Sequence, residues 1–127
     1  VLLTGNAVVL RGSSTNNQIF GNDVVNVLDG RGGIDYLLGF GGGDIFQITA
    51  GDDGEDVIGD FSRTDADRIA FAGFDSSHTT VTHEGDGLFT IADATAGTSQ
   101  TFKLRDGYGI AAYTSGDLLE GQDYYFA

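Results

Sequence analysis

Oxygen-bearing side chains dominate the chemistry that this sequence can offer. Its 127 residues include 19 Asp and Glu against 6 Lys and Arg, which gives a formal net charge of −13. Carboxylate oxygens are the ligands that hard cations such as Ca²⁺ prefer, whereas an acidic excess can also simply keep a surface solvated. Composition alone leaves both interpretations open. The excess argues against nucleic acid as a partner, because phosphates need Lys and Arg.

Asn, Asp and Gly follow a regular spacing in the first part of the chain. Large apolar residues recur every nine residues, with Asn or Asp two residues before four of them and Gly seven residues before the same four. The apolar positions are Val1, Leu10, Ile19, Leu28, Leu37 and Phe46. The polar positions are Asn17, Asn26, Asp35 and Asp44, and the glycines are Gly12, Gly21, Gly30 and Gly39. Because nine is neither a helical period nor a heptad, an amphipathic helix is a poor explanation.

Each nonamer predicts a six-residue turn followed by a three-residue strand. Glycine permits the positive φ angles of a tight turn and lets the backbone approach a ligand. The apolar residue points inward and its neighbours point outward, because side chains alternate along a strand. A single repeat cannot bury its apolar residue, so the repeats must stack. Two nonamers then make one coil, and turns about 18 residues apart lie next to each other on the same edge.

The sequence resembles the repeats-in-toxin nonapeptide, Gly-Gly-x-Gly-x-Asp-x-apolar-x, a pattern linked to a Ca²⁺-binding parallel β-helix. The resemblance is clear over residues 12–47 and weaker back to Val1. It implies that Ca²⁺ sits between stacked turns, held by turn carbonyls and by sixth-position carboxylates. The turn 12–17 would pair with 30–35, the turn 21–26 with 39–44, and the turn 30–35 with 48–53.

The resemblance implies one set of calcium-site residues and also shows where this chain departs from the family. The set is Gly12, Asn17, Gly21, Asn26, Gly30, Gly33, Asp35, Gly39, Gly42, Asp44, Gly51, Asp53, Asp56 and Asp60. Asn17 and Asn26 replace Asp, so the first two sites have one anionic side chain each. Val24 stands where the family places Gly, and a β-branched residue disfavours positive φ. We therefore expect fewer and weaker sites than in a full array; the alternative is a roll held mostly by its apolar ladder.

An acidic segment follows the repeats. Asp56, Ile58 and Asp60 alternate as in a short strand, which places both carboxylates on one face. The segment resembles the one that follows the roll in serralysin-type C-terminal domains, and this resemblance implies that Asp56 and Asp60 help to close the last calcium sites. The alternative is a solvated acidic loop.

The repeat stops after Phe71, and the remaining chain predicts further strands. These are residues 79–83, 88–93 and 99–104, with Gly85-Asp86-Gly87 as a hairpin turn. The expected fold class is all-β: one domain over residues 1–127, with a parallel β-roll over about residues 1–50 and a β-sandwich-like extension and cap over residues 51–127. Residues 117–127 resemble the tails of secreted proteins, which implies type I secretion machinery as a partner; a final strand that caps the roll is compatible with that function.

Motifs of catalysis are missing from the sequence. It has no Cys, no His-Glu-x-x-His zinc signature and no Gly-x-Ser-x-Gly elbow, and its glycine runs lack the Lys-Ser/Thr of a phosphate loop. No apolar stretch approaches the roughly 20 residues of a membrane span, so membrane insertion is not expected. We predict a non-enzymatic bacterial module that is secreted and folds on extracellular Ca²⁺. The alternatives are self-association into a surface layer or filament, and adhesion to an extracellular polysaccharide.

Overall fold

The computed structural model describes residues 8–52, 54–105 and 118–127, and these ranges contain eleven β-strands and no helix. The strands are β1 (Val8–Arg11), β2 (Gln18–Phe20), β3 (Asn26–Asp29), β4 (Tyr36–Leu38), β5 (Ile45–Thr49), β6 (Asp56–Ile58), β7 (Arg68–Ala72), β8 (Thr79–Gly85), β9 (Leu88–Asp93), β10 (Thr98–Leu104) and β11 (Tyr124–Phe126). The all-β fold class predicted from the sequence is confirmed.

The strands form the two sheets of a β-solenoid. One sheet has the order β1-β3-β5-β7-β11 and the other β2-β4-β6-β10-β9-β8. Consecutive strands alternate between the sheets as far as β7, so β1–β2, β3–β4 and β5–β6 are the first, second and third coils. Neighbouring coils pair in parallel: Val8 stands opposite Asn26, and Gln18 stands opposite Tyr36. The predicted stacking of turns 18 residues apart is therefore confirmed for the first two coils.

The turns lie along two edges of the solenoid. The first edge carries turns 12–17, 30–35 and 50–55, which lead from the first sheet to the second. The second edge carries the return turns 21–25, 39–44 and 59–67. Since stacked turns on one edge come from successive coils, each edge brings together polar residues that are distant in sequence.

The apolar ladder predicted from the nine-residue period forms the core between the sheets. Leu28, Leu37 and Phe46 are fully buried, and Ile58 and Ile69 continue the ladder. Leu10 and Ile19 of the first coil are only partly buried against this core, while Val1 lies outside the described residues. Burial of each large apolar side chain contributes about 1.5–3 kcal/mol, so the second and third coils are better packed than the first.

The 18-residue register ends at the third coil. Tyr36 pairs with Val57, and Ile45 pairs with Arg68. The corresponding backbone contacts span 21 residues on the first edge and 23 on the second. The predicted pairing of turn 30–35 with 48–53 is therefore wrong, because three extra residues in the first-edge turn bring Asp56 opposite Asp35. A turn can lengthen without disturbing the pairing of the strands on either side of it, and the spacing in sequence between paired residues then increases.

The C-terminal extension completes both sheets. Strand β10 adds to β6 in parallel, and β9 and β8 follow antiparallel. The predicted hairpin turn is confirmed, with positive φ at Gly85, Asp86 and Gly87. Strand β11 pairs in parallel with β7, which confirms a final strand that caps the roll. The described residues contain no helix of the length and apolar character that a bilayer crossing requires.

Candidate metal centre

The sixth-position residues on the first edge form a ladder of side chain to backbone hydrogen bonds. The backbone N–H of Asn17 donates to Oδ1 of Asp35 at 2.7 Å. The N–H of Asp35 donates in turn to Oδ1 of Asp56 at 3.0 Å. Each carboxylate therefore holds the turn of the preceding coil. Asn17 and Asp35 stack as predicted, whereas Asp56 takes the place at which Asp53 was expected.

The second edge repeats the same arrangement. The N–H of Asn26 donates to Oδ1 of Asp44 at 2.9 Å, and the N–H of Asp44 donates to Oδ1 of Asp67 at 2.8 Å. Asp67 was not among the predicted site residues. A signal was present: Asp67 stands two residues before Ile69, the same Asp-x-apolar triplet as in the repeats. Five extra residues displaced it from the period, three in the first-edge turn between β5 and β6 and two in the turn that precedes Asp67.

First-position glycines make room for the sixth-position side chains. A Cβ built at Gly30 would collide with the carboxylate of Asp35, and one at Gly39 would collide with that of Asp44. Gly12 and Gly21 have the same relation to Asn17 and Asn26. The glycines are needed here for close approach, and none of these four has a positive φ.

The second carboxylate oxygens of the second coil are the unusual feature of the site. Oδ2 of Asp35 and Oδ2 of Asp44 are buried and have no hydrogen-bond partner. The two residues are 1% and 0% exposed. Leaving a buried acceptor unsatisfied costs about 1–3 kcal/mol, and more for a charged group. A proton or a cation at each oxygen would remove this penalty.

Burial and mutual repulsion raise the pKa values of the ladder carboxyls. Desolvation is the largest cause for Asp44 and lifts its pKa to about 7, opposed by the hydrogen bond from Asn26 and helped by repulsion from Asp67. The pKa of Asp56 is raised to about 7 and that of Asp67 to about 6, again mainly by desolvation. The pKa of Asp35 is raised for the same reason. Near neutral pH a cation can therefore displace the proton from Asp44, Asp56 or Asp67 at little cost in free energy.

Turn conformation in the second coil differs from that in the first. Gly33 and Gly42 have φ of 90° and 88°, and the second-position residues Arg31 and Phe40 are also positive at 65° and 67°. A Cβ at Gly33 would lie 2.7 Å from the carbonyl carbon of Thr15, and one at Gly42 would lie 2.8 Å from that of Val24. Fourth-position glycines thus allow the turns of adjacent coils to stack backbone on backbone.

In the first coil, the side-chain amides of Asn17 and Asn26 accept hydrogen bonds from backbone N–H groups of their own turns. The N–H of Ser13 donates to Oδ1 of Asn17 at 2.8 Å, and the N–H of Asn22 donates to Oδ1 of Asn26 at 2.8 Å. Nδ2 of Asn26 also donates to Oδ1 of Asn22 at 3.1 Å. Asn17 and Asn26 therefore join the ladders through their backbones, while their side chains close their own turns.

The remaining predicted site residues belong to the third coil and serve different edges. Asp56 is a first-edge rung, whereas Asp60, just beyond β6, accepts hydrogen bonds from the N–H groups of Gly39 and Phe40 at 3.0 and 2.6 Å. The structure does not bring the two carboxylates into one site. Gly51 is exposed, and its N–H donates to Oε1 of Gln100 at 3.1 Å. Asp53 lies outside the described residues.

Nowhere in the described ranges do three or more His, Cys, Asp or Glu side chains gather as a metal-binding group. A Ca²⁺ ion takes six to eight oxygens, and backbone carbonyls are regular members of its coordination shell. A calcium site at Asp35 or Asp44 would therefore draw most of its ligands from the turn backbones. The orphaned Oδ2 atoms fit that use, because each is buried, anionic when deprotonated and without another partner.

Fold and site together define a parallel β-solenoid with a ladder of sixth-position side chains along each edge. No protein-family model matches the chain, and a search of curated proteins found no match.

Proposed function

We propose that this chain is a calcium-binding β-roll module of the repeats-in-toxin type. The observation that carries the proposal is the pair of buried, unpartnered Oδ2 atoms of Asp35 and Asp44, one on each edge of the second coil. Both belong to Gly-x-x-Gly-x-Asp turns in the conformation described above. A divalent cation at each oxygen would neutralise the carboxylate and supply the missing partner.

The donor atoms favour Ca²⁺ over other common metals. The ladders offer carboxylate and carbonyl oxygens, whereas zinc sites are built mostly from Cys and His. Mg²⁺ demands a near-ideal octahedron and gives up its water reluctantly, while Ca²⁺ accepts irregular sets of six to eight oxygens. Asp35 and Asp44 would be the charged ligands, and the glycine turns would supply neutral ones.

Calcium binding would also decide where the module folds. A charge of −13 opposes compaction, and buried carboxyls of raised pKa add to that penalty. A ligand that binds only the folded chain stabilises it by mass action. We infer a bacterial module that stays unfolded in the low-calcium cytosol, passes through type I secretion machinery, and folds in the extracellular medium to stabilise the protein that carries it. In this proposal the module itself is not an enzyme.

A titration of the purified chain tests the proposal. Circular dichroism should show strand content rising with Ca²⁺ at about 10⁻⁴–10⁻³ M, the range of extracellular modules. Calorimetry should give two sites in the same range of affinity. Mg²⁺ at the same concentration is the matched control, because it screens charge equally but fits the turns poorly. Equal strand content in chelator and in millimolar Ca²⁺ would contradict the proposal.

The outer face of the second sheet supports a second candidate function, adhesion to a neutral polysaccharide. Phe20, Tyr36 and Phe40 are 51%, 39% and 46% exposed there, and Phe20 and Phe40 pack edge to face at 6.3 Å between centroids. Flat exposed aromatic rings suit stacking against sugar rings. A binding screen on neutral glycans, with Tyr36→Ala and Phe20→Ala as variants and Thr82→Ala on β8 as the control, tests this candidate. Absence of binding by the calcium-loaded chain would exclude it.

A further inference from the structure

The loop at residues 59–67 contacts two parts of the molecule at once. Toward the roll, Asp67 is the third rung of the second ladder and Asp60 binds the turn that carries Asp44. Toward the C terminus, Arg63 forms a two-pronged ion pair with Asp123, with Nε 2.6 Å from Oδ1 and Nη2 2.5 Å from Oδ2. One loop therefore joins the candidate second-edge site to the end of the chain.

Asp123 is completely buried and fixes the start of β11. Its side chain is 0% exposed, against 34% for Arg63. Oδ2 also accepts from the N–H of Leu119 at 2.7 Å, and the Asp123 carbonyl accepts from Ile69 N–H at 2.8 Å. Without Arg63 the carboxylate would be a buried charge lacking its counter-ion, which is strongly unfavourable. Docking of β11 in this position therefore depends on where the loop holds Arg63.

Hydrogen bonds within the loop link the positions of Arg63 and Asp67. The N–H of Ser62 donates to Oδ2 of Asp67 at 2.9 Å, and the N–H of Asp67 donates to the carbonyl of Ser62 at 3.0 Å. Ala66 N–H donates to the carbonyl of Arg63 at 3.0 Å. A change in the position of Arg63 would therefore be expected to shift the rung that holds the turn of Asp44.

We propose that Arg63 and Asp123 are positioning residues of the second-edge calcium site, so that calcium binding near Asp44 and docking of β11 favour each other. The inference rests on the calcium-binding function proposed above and adds a partner to it, namely the C-terminal strand. Coupling between two binding events is reciprocal, and its usual size is about 5–150-fold in affinity. Calcium should therefore protect β11, and loss of the ion pair should weaken calcium binding on the second edge alone.

The experiment uses the full chain with Asp35→Asn, which leaves only the second-edge site. In that background Arg63→Gln and Asp123→Asn should each weaken Ca²⁺ binding about tenfold by calorimetry, and Arg63→Lys should restore part of the loss. Arg68→Gln is the matched control, because Arg68 also contacts β11, 5.2 Å from the ring centroid of Tyr125, but from β7 instead of the loop. It should change the affinity less than about twofold.

Hydrogen exchange read by mass spectrometry supplies the second readout. In the Asp35→Asn parent, which keeps Arg63 and Asp123, Ca²⁺ should slow exchange of the amides of Tyr124–Phe126. Arg63→Gln in the same background should abolish that calcium effect. The inference is overturned if Ca²⁺ binds Arg63→Gln and its parent equally, or if calcium leaves exchange in β11 unchanged. Failure of every chain to bind Ca²⁺ would overturn the proposed function as well. If Arg63→Gln does not fold at saturating Ca²⁺, the affinity of Arg63→Lys decides, since equal binding contradicts positioning by the two-pronged pair.

Discussion

The first and second coils share one backbone architecture and differ in how their turns are satisfied. Both have glycine at the first position, a sixth-position residue in the ladder, and an apolar residue two positions on. In the first coil, the amide oxygens of Asn17 and Asn26 accept hydrogen bonds from their own turns. In the second, Asp35 and Asp44 use one oxygen for the ladder and leave the other buried without a partner.

The difference shows that one repeat can bury an unpartnered carboxylate oxygen while its neighbour of the same backbone architecture does not. An amide brings its own donor and carries no charge, so it closes a turn by itself. A carboxylate brings charge and no donor, so its buried oxygen needs a proton or a cation. In the proposed function, the first coil would therefore be an ion-independent start to the roll, and the second coil would be the part whose stability depends on calcium.

The largest expected effect follows from making the second coil like the first. In Asp35→Asn/Asp44→Asn the calcium-dependent stabilisation should disappear; with Kd near 10⁻⁴ M and about 10 mM Ca²⁺, this is ~2.7 kcal/mol per site and ~5 kcal/mol for two. In chelator the variant should be more stable than the parent. Urea unfolding with and without Ca²⁺ measures both quantities. Asp86→Asn, which makes one of these Asp-to-Asn changes in the exposed hairpin turn, is the control and should keep the full calcium effect.

Stacking of the turns predicts the next largest effect. Gly42→Ala should lower the free energy of unfolding by about 3 kcal/mol, because it combines a strained positive φ with a clash against the backbone of Val24. Gly97→Ala should lower it by only about 1 kcal/mol, since Gly97 has φ of 69° but a Cβ added there would have no neighbour within 4 Å. Thermal or urea unfolding of both variants checks the difference. Equal losses would mean that the turns of adjacent coils do not touch.

Acidity should act on the second and third coils in a direction opposite to ordinary acid denaturation. The folded pKa of Asp44, about 7, lies above its ordinary value of 3.8, so its contribution to stability is complete below the unfolded pKa and is lost as pH rises through about 7. Asp56 and Asp67, at about 7 and about 6, act in the same direction. In chelator the loss of the Asp44 contribution alone should therefore lower the free energy of unfolding by on the order of 2 kcal/mol between pH 5 and pH 8, and Asp56 and Asp67 should add to that fall.

Calcium should reverse that slope, because the ligand carboxylates must be deprotonated to bind it. The pH range of this prediction ends at 5, because the pKa values of Glu55, Asp75 and Asp93 are lowered. The stability that these carboxylates contribute to the folded chain is lost in stronger acid. Urea unfolding at several pH values provides the measurement. A chelator slope of the same sign as the calcium slope would count against buried, ion-dependent carboxyls.

The smallest expected effect is the gain of a site in the first coil. Asn26→Asp alone should not create one, because Val24 still occupies the fourth position and lacks a positive φ. Asn26→Asp/Val24→Gly supplies both features, and should add one weak site worth about 1.4 kcal/mol at a Ca²⁺ concentration ten times its Kd. Calorimetric stoichiometry distinguishes the two variants. An extra ion bound by Asn26→Asp alone would show that the turn conformation is unimportant.

The sequence predicted the repetitive part of the molecule well. Spacing of Leu28, Leu37 and Phe46 was sufficient for the coil length, the buried ladder and the stacking of the first two coils. The period failed where the turns lengthen, so that Asp56 replaced the expected partner of Asp35 and Asp67 was missed. Turn insertions leave the strands and their Asp-x-apolar triplets intact. Beyond residue 48 these triplets therefore predict the ladder positions better than the nine-residue period does.

No pattern in the sequence predicted two contacts between the roll and the C-terminal extension. Gln100 donates to the carbonyls of Thr49 and Asp52 at 3.2 and 3.0 Å and so holds the third-coil turn on the first edge. The pair of Arg63 and Asp123 joins residues sixty positions apart. Neither belongs to a repeat or a motif, because such cross-braces depend on how the extension folds back onto the roll. Positive φ at Arg31 and Phe40 was likewise unexpected, since neither residue favours that conformation.

Counting the ions directly is the most decisive measurement for the contrast between the coils. Crystals grown with Ca²⁺ should show anomalous scattering peaks about 2.3–2.6 Å from Oδ2 of Asp35 and from Oδ2 of Asp44. The amide oxygens of Asn17 and Asn26 should remain bonded to the N–H groups of their own turns. Peaks absent from both aspartates, with the carboxyls protonated or turned toward solvent, would contradict the account.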